Sequence, residues 1–538
     1  MALFLSDFLL LLLPCLLLAL LSAALRWPRT RRWTDRALKA AGRRLWTVVC
    51  WTLKLPLCDD AEAGSPGAPA GSGQTPDGPR LVCKPTALAR YLLRHCGCLA
   101  GPGPRGDPHL QTACSQLWEQ RERALRFTRD HLLLRDGGVV ALDWAVGTRA
   151  GEAAERRRKE HHAGGKALGC FTAAPPVLLL IPQCWGGMTP HLRALCQLAM
   201  RQGFYVVVFH PRGTAGCPLA TARLTEFGDP ADLEQAVSYI RSRLPSSTLV
   251  AVSEGSGSGV LLSYLGESGS STQLTAAAAI SPVLLGQRWF EADMPPLYRW
   301  GALFQRKRPL RRYASSFRGV LDVDRALRCA SLRDLEETLF CSSSSSSPPP
   351  CSRPPSRGRG PPVAWALGER AFPAEDWGGY WERNEPLRDA DDVAAPLLCI
   401  CSRDDPLLPP PSSLPLRLFQ SSPFFLLLLT DRGGHCGFAL QGAGPGGEEE
   451  QPGEAVWSHN VVLEYFKVVA DFLKVGEREG SGWGGPQEEN IQALLRSRSM
   501  NPAPLRKRRP PIMRRPRPPA APFEDAEETF TWRRSYTR

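Results

Sequence analysis

The chain has 538 residues, 43% of them hydrophobic, which is enough to bury a sizeable core. Its 17 cysteines are odd in number and lack the spacings of metal sites, so neither a disulfide framework nor a metal centre is predicted. The net charge is +13, but residues 491–538 hold twelve Lys/Arg against four Asp/Glu and supply 8 of it. The rest of the chain is only mildly basic. With no interleaved aromatics and no recognisable binding module, nucleic acid is excluded as the expected partner.

The chain begins with an apolar run over residues 2–25, which arginines from Arg26 onward follow directly. A run of this length can span a membrane, and an arginine-rich flank is expected to stay in the cytosol. We expect residues 1–25 to be a retained anchor, in the endoplasmic reticulum, with a cytosolic body. The alternative is a signal peptide that is cleaved, followed by secretion. Residues 26–80 continue as a basic flank and a Gly/Ala/Pro/Ser-rich linker.

Apolar runs of strand length recur through residues 81–475, with helix-length segments between several of them. This alternation predicts an α/β fold with a mainly parallel sheet and flanking helices. The predicted strands are Val177–Ile181, Tyr205–Phe209, Leu249–Val252, Ala276–Ile280, Leu397–Ile400 and Phe425–Leu429. A variable cap is expected over about 287–388. Within it, residues 342–362 are a Ser/Pro/Arg-rich surface insertion that cannot bury a core.

The strand-like run Leu249–Val252 continues into Ser253-Glu-Gly-Ser-Gly257 and then into an apolar helix-like segment. Strand, sharp turn and helix are the context of the nucleophile elbow, G-x-S-x-G, whose serine attacks the substrate. Gly255 occupies that serine's position, so the attacking hydroxyl is missing. Ser256 could replace it only after a local shift; the simpler role for Ser256 is a helix N-cap. Glu254 is expected to be a solvated or helix-start carboxylate.

Two turns that follow later strands hold a candidate acid and a candidate base. Asp404-Asp405-Pro406 comes after one strand, and Gly433-Gly434-His435 comes after the next. Taken alone, each is more typical of a solvated loop. The order Gly255, Asp405, His435 is nevertheless the order of nucleophile, acid and histidine in such hydrolases. We therefore predict that Asp405 and His435 form a charge relay, and we prefer Asp405 to Asp404 because it directly precedes the proline.

The oxyanion site of such an enzyme is built from backbone amides. Gln183 follows the first predicted strand, where one donor is expected, and Ser256 follows the elbow position and would provide the second. An ordinary Gly-rich strand exit explains Gln183 equally well.

Longer segments resemble the α/β-hydrolase domain-containing proteins of the AB hydrolase 4 group, which includes bacterial YheT-like esterases and membrane-anchored animal lipid hydrolases. They are Pro108-His-Leu-Gln-Thr112, Phe227-Gly-Asp-Pro230, Val252–Ser258, Trp289-Phe-Glu-Ala292 and Gly433-Gly-His-Cys-Gly-Phe438. The resemblance covers about residues 80–475 and the last dozen. It implies a serine-hydrolase fold, no metal or organic cofactor, ester-linked lipids as substrates, and Asp405 and His435 as the charge relay. The family's nucleophilic serine has no counterpart here, because Gly255 stands at its position.

Residues 476–538 form a basic, Pro-rich tail that either binds anionic lipid beside the anchor or stays solvated. Two functions remain open. The chain is a catalytically impaired regulator of lipid handling that binds a lipid or a protein partner, or it is a lipid esterase that uses Ser256 with Asp405 and His435. The missing hydroxyl favours the regulator.

Overall fold

The computed structural model describes residues 44–53, 55, 78–99, 101–117, 125–146, 175–184, 187–317, 321–341, 373–439 and 456–479. The predicted anchor, most of the linker, the insertion at 342–362 and the tail after residue 479 lie outside the described residues. Within the described ranges, no helix combines the length and hydropathy needed to cross a membrane.

Nine strands form one sheet in the order β1-β9-β8-β7-β6-β4-β5-β3-β2. Strands β4 to β9 are parallel to their neighbours among these six, whereas β1 and the β2–β3 hairpin pair in antiparallel fashion at the two edges. The predicted mainly parallel α/β fold is confirmed. The bounds are β1 Arg80–Val82, β2 Arg126–Leu133, β3 Val139–Val146, β4 Val177–Ile181, β5 Tyr205–His210, β6 Leu249–Glu254, β7 Ala276–Ile280, β8 Leu397–Ser402 and β9 Phe425–Thr430.

Helices cover both faces of the sheet. They are α1 Ala87–His95, α2 Pro108–Leu117, α3 Pro190–Arg201, α4 Ala231–Arg243, α5 Ser258–Ser268, α6 Gly286–Glu291, α7 Pro296–Arg312, α8 Val323–Arg328, α9 Leu332–Phe340, α10 Trp377–Asn384, α11 Leu416–Ser421 and α12 Trp457–Glu479. Residues of a strand alternate between the two faces. In β4, Leu178 and Leu180 pack with α1, α3 and α12, whereas Leu179 packs with α4, α5 and α11. This double burial explains why the central strands are apolar throughout.

Five helices, α6 to α10, lie between β7 and β8 in the chain and share a third apolar cluster. Its centre is aromatic, with Phe290, Trp377 and Trp381 in edge-on and tilted ring contacts. A buried ion pair between Arg306 and Glu336, 3.0 Å apart, joins α7 to α9. The cap helices therefore have a small core of their own beside the sheet.

Candidate functional site

The turn after β6 has the backbone of a nucleophile elbow. Strand β6 ends at Glu254, a single 3-10 turn covers Gly255–Gly257, and α5 begins at Ser258. Gly255 has a φ of +51°, a left-handed conformation that costs other residues free energy. At Gly257, an added Cβ would lie 2.2 Å from the carbonyl oxygen of Pro182. Glycine at these two positions lets the turn pack against the end of β4.

The candidate acid and base, which come from the ends of β8 and β9, are in contact. The Nδ1 atom of His435 lies 2.9 Å from Oδ2 and 3.2 Å from Oδ1 of Asp405. Both side chains are buried, at 4% and 2% exposure. Asp404 has a different task, because its Oδ1 accepts a hydrogen bond from the Gly434 amide at 2.9 Å. The structure thus brings together the two residues that chain order had paired.

Helix α2 holds the histidine's backbone from both sides. The amide of His435 donates to Thr112 Oγ1 at 2.9 Å, and Ser115 Oγ donates to the carbonyl of His435 at 3.0 Å. At the start of the same helix, His109 Nδ1 lies 2.8 Å from the hydroxyl of Tyr298 on α7. The histidine is therefore positioned by a helix that also contacts the cap.

The electrostatics of the pair favour a protonated imidazole. Burial, the largest single effect, lowers the pKa of His435, but the adjacent Asp405 carboxylate and the neighbouring Cys436 together raise it by more, so the net pKa lies well above the ordinary value of 6.5. Burial raises the pKa of Asp404, against the opposing effect of its hydrogen bonds from backbone amides. The charge-relay role of Asp405 and His435 remains a prediction, and the geometry it requires is present.

The imidazole points at the position where a nucleophile would lie. A Cβ built on Gly255 would be 2.9 Å from His435 Nε2 and 3.5 Å from both Cγ and Nε2 of Gln183. A contact of 2.9 Å is closer than Cβ atoms in proteins adopt, so a side chain at Gly255 would require the imidazole to move. Gly255 and His435 face each other, and the Gln183 side chain borders the same space.

Ser256 points elsewhere. Its hydroxyl accepts a hydrogen bond from the Cys184 amide at 3.2 Å, and the Cys184 thiol donates to the Ser256 carbonyl at 2.9 Å. No hydrogen bond between Ser256 and His435 occurs among the described residues. The displaced-nucleophile role therefore requires the Ser256 hydroxyl to leave Cys184. The oxyanion roles of Gln183 and Ser256 remain predictions.

The expectation that Glu254 is solvated was wrong. Its side chain is fully buried, and the Thr189 hydroxyl lies 2.7 and 2.9 Å from the two carboxylate oxygens. His191 Nδ1 lies 3.3 Å from Oε1, and the His191 ring packs at 4.3 Å against His459 of α12. As the last residue of β6, Glu254 points into the layer between the sheet and the helices. This polar cluster beneath the elbow was missed because its members are far apart in sequence.

The site contains no arrangement that calls for a metal. In the part of the chain that the structure describes, no group of three or more His, Cys, Asp and Glu could hold an ion. Buried strand, glycine elbow, acid turn and histidine turn together define the class of the protein, which is the α/β-hydrolase fold. That Gly255 takes the position of the nucleophile remains a prediction.

Comparison with known proteins agrees with this class. No family model matches the chain. It is 41% identical to human Protein ABHD15 over 533 residues, which is 97% of each chain. It is 24% identical to Phospholipase ABHD3 of Bos taurus over 68% of this chain and 80% of the relative. It is 27% identical to Medium-chain fatty acid ethyl ester synthase/esterase 2 of Saccharomyces cerevisiae, over 49% of this chain and 58% of the relative. The chain belongs to the α/β-hydrolase domain-containing (ABHD) family.

Proposed function

We propose that this chain is a catalytically impaired member of its family that regulates lipid handling by binding an acyl lipid or a protein partner. The observation that supports this most directly is Gly255. In the serine hydrolases the elbow side chain is the attacking group, and loss of a triad member leaves only residual catalysis from binding and the oxyanion site. The turn keeps its shape, so the loss affects the chemistry rather than the fold.

The ligand class rests on the relatives. Two of them are named as a phospholipase and as a medium-chain fatty acid ethyl ester synthase/esterase, and phospholipids and fatty acid ethyl esters both contain acyl chains. The structure adds a buried imidazole and the Gln183 amide around the vacated position. These groups can donate hydrogen bonds to a carbonyl or carboxylate oxygen, so an acyl group can be held there without being transferred.

The alternative is an esterase that uses Ser256 with His435 and Asp405. The observation in its favour is the contact between Asp405 and His435, at 2.9 Å, which is the geometry that an active charge relay requires. The hydrogen bond between the Cys184 amide and Ser256 Oγ opposes it.

Fluorophosphonate labelling of the purified full chain discriminates the two functions. We expect no labelling of the natural chain or of Ser256→Ala, and no hydrolysis of phospholipid or ethyl-ester substrates. Stoichiometric labelling of the natural chain that Ser256→Ala abolishes would establish the esterase instead.

A second measurement tests binding without turnover. A photoactivatable fatty-acyl probe should label the natural chain, and Gln183→Trp should block it, because that side chain borders the space beside Gly255. Ser256→Ala, whose hydroxyl faces Cys184, is the matched control and should label normally. An unlabelled natural chain, or equal labelling of Gln183→Trp, would argue against acyl binding at this site.

A further inference from the structure

One face of α7 carries exposed side chains, apolar ones toward its N-terminus and arginines toward its C-terminus. Leu297, Trp300 and Phe304 are 41%, 65% and 48% exposed. Arg308 and Arg311 follow on the same face and are also exposed. Spacings of three and four residues place all five on one side of a helix. This set, called the α7 stripe below, is apolar in its N-terminal half and cationic in its C-terminal half.

The helix is fixed by its opposite side. Leu310 is buried, and Arg306 is paired with Glu336 of α9. Beside the stripe, the ammonium group of Lys307 donates to the carbonyls of Leu327 and Cys329 at 2.9 and 2.6 Å. The stripe faces solvent because Arg306 and Leu310 hold the opposite side of the helix inward. The rings of Trp300 and Phe304 stack on each other at 5.6 Å and gain only part of the burial that a core would give them.

The charge on this surface is of one sign. Helix α7 holds six Lys/Arg and no Asp/Glu. No carboxylate among the described residues pairs with Arg299, Arg308 or Arg311. A groove of about 360 Å³ runs along the helix, lined by Arg299, Trp300, Phe304, Arg311 and, across from them, Cys329. It combines guanidinium groups with aromatic rings, which suits an anionic headgroup joined to an apolar chain.

A second exposed apolar surface lies on a helix that precedes the sheet in the chain. Residues 44–52 form a helix on which Leu45, Val48 and Trp51 are 68%, 56% and 77% exposed. Its Cys50 is buried, so the helix has an inward side as well as an apolar outward one. Like the α7 stripe, it presents apolar side chains to solvent.

We propose that the α7 stripe and the helix at 44–52 dock on a bilayer that contains anionic phospholipid, with a lipid headgroup held by Arg299 and Arg311 in the groove. Tryptophan and phenylalanine beside arginine are the residues that favour the interface between water and hydrocarbon. Each cation near an anionic membrane surface strengthens attachment about fivefold. An acidic protein surface would match the arginines but would leave the contiguous apolar half of the stripe unexplained. This docking does not depend on whether the site is catalytic.

The test uses the full chain reconstituted in nanodiscs that contain photoactivatable phospholipid, with cross-linked peptides mapped by mass spectrometry. We expect cross-links on residues 296–312 and 44–53 in discs of phosphatidylcholine with phosphatidylserine, and few in phosphatidylcholine alone. Reversing two charges in Arg308→Glu/Arg311→Glu should reduce the cross-links to α7 by at least about 25-fold. Trp300→Ser/Phe304→Ser should reduce them as well.

The matched control is Leu416→Ser/Arg417→Glu, which changes an exposed apolar residue and an exposed arginine on α11. It should leave the α7 cross-links unchanged. For the natural chain, added salt should weaken cross-linking in the anionic discs because it screens exposed charges. Equal cross-linking in both kinds of disc, or cross-links that survive the charge reversal, would overturn the proposal. Binding of the acyl probe at the site is a separate readout, so failure here leaves the proposed function untouched.

Discussion

The absence of a side chain at Gly255 avoids backbone strain and leaves room for the imidazole of His435. The φ of +51° is free of strain only for glycine, and a Cβ there would crowd His435 Nε2 at 2.9 Å. We predict that Gly255→Ser lowers the free energy of unfolding by about 1–2 kcal/mol, the cost of the left-handed conformation. Gly255→Ala should cost a similar amount, and denaturant titration measures both.

The serine variant also restores the missing hydroxyl. We predict that Gly255→Ser gains slow fluorophosphonate labelling and that adding His435→Gln removes it. A variant as stable as the natural chain, or one that stays unlabelled, would show that this turn is not a nucleophile elbow in register with His435.

The raised pKa of His435 predicts how stability depends on pH. The folded state binds the imidazolium proton more tightly than the unfolded chain does, because Asp405 and Cys436 are adjacent. This stabilisation is fully present below the ordinary pKa of 6.5 and is lost as the pH rises through the higher folded-state pKa. The stability advantage of the natural chain over His435→Gln should therefore shrink as the pH rises above 6.5, by about 1.4 kcal/mol per pH unit until the folded-state pKa is reached.

A matched variant isolates the cause of the raised pKa. Asp405→Asn removes a carboxylate that favours the imidazolium and leaves the burial that lowers the pKa of His435, so above pH 7 the effect of His435→Gln on stability in that background should lose most of its dependence on pH. Unfolding measured by circular dichroism between pH 7 and 9 gives both differences. A constant difference in the natural background would contradict the assigned cause.

At this scale the sequence predicted the site only in part. Gly255, Asp405 and His435 could be found because the order of a catalytic triad along the chain is a strong constraint. The contacts of Glu254 with Thr189 and His191 could not, because they depend on how α3 packs beneath β6. The hydrogen bond of Ser256 to Cys184 also follows from the packing of two strand ends.

At the scale of elements, the elbow depends on how closely β4 approaches it. Gly257 has no room for a methyl group, since a Cβ would lie 2.2 Å from the Pro182 carbonyl, whereas a Cβ on Gly301 of α7 meets nothing within 4 Å. We predict that Gly257→Ala destabilises the fold by about 1–3 kcal/mol through overpacking. Gly301→Ala should stabilise it by about 0.5–1 kcal/mol, because alanine favours a helix. Thermal unfolding of the pair measures both, and shifts of the same sign would refute this account.

The six parallel strands could be predicted because each is buried on both faces and is therefore apolar throughout. The three antiparallel strands, β1, β2 and β3, were missed. Strand β2 alternates exposed and half-buried residues and contains Arg129 and Asp130, so its composition resembles that of a loop. Strand β1 has three residues, too few for a pattern.

At the scale of the whole molecule, the two ends of the cap insertion meet. Cys341 and Ala374 form a parallel bridge, and the Ala374 amide donates to the Phe340 carbonyl at 2.7 Å. Residues 342–372 lie outside the described part, but their flanking residues are already adjacent. We predict that replacing them with a Gly/Ser linker of about eight residues raises the free energy of unfolding by up to about 1 kcal/mol, since closing a shorter loop costs less entropy. Chemical denaturation measures the change, and a clear loss of stability would mean that the segment packs on the fold.

The bond between Tyr298 and His109 gives the cap a route to the buried imidazole. Helix α2 contacts α7 through His109 and grips both the amide and the carbonyl of His435 through Thr112 and Ser115. If α7 moves, either the hydrogen bond between Tyr298 and His109 breaks or α2 moves as well. In the second case the hydrogen bonds of α2 to the His435 backbone shift the histidine. Thermodynamic reciprocity then requires that ligand binding beside Gly255 and membrane attachment of α7 alter each other's affinity by one and the same factor.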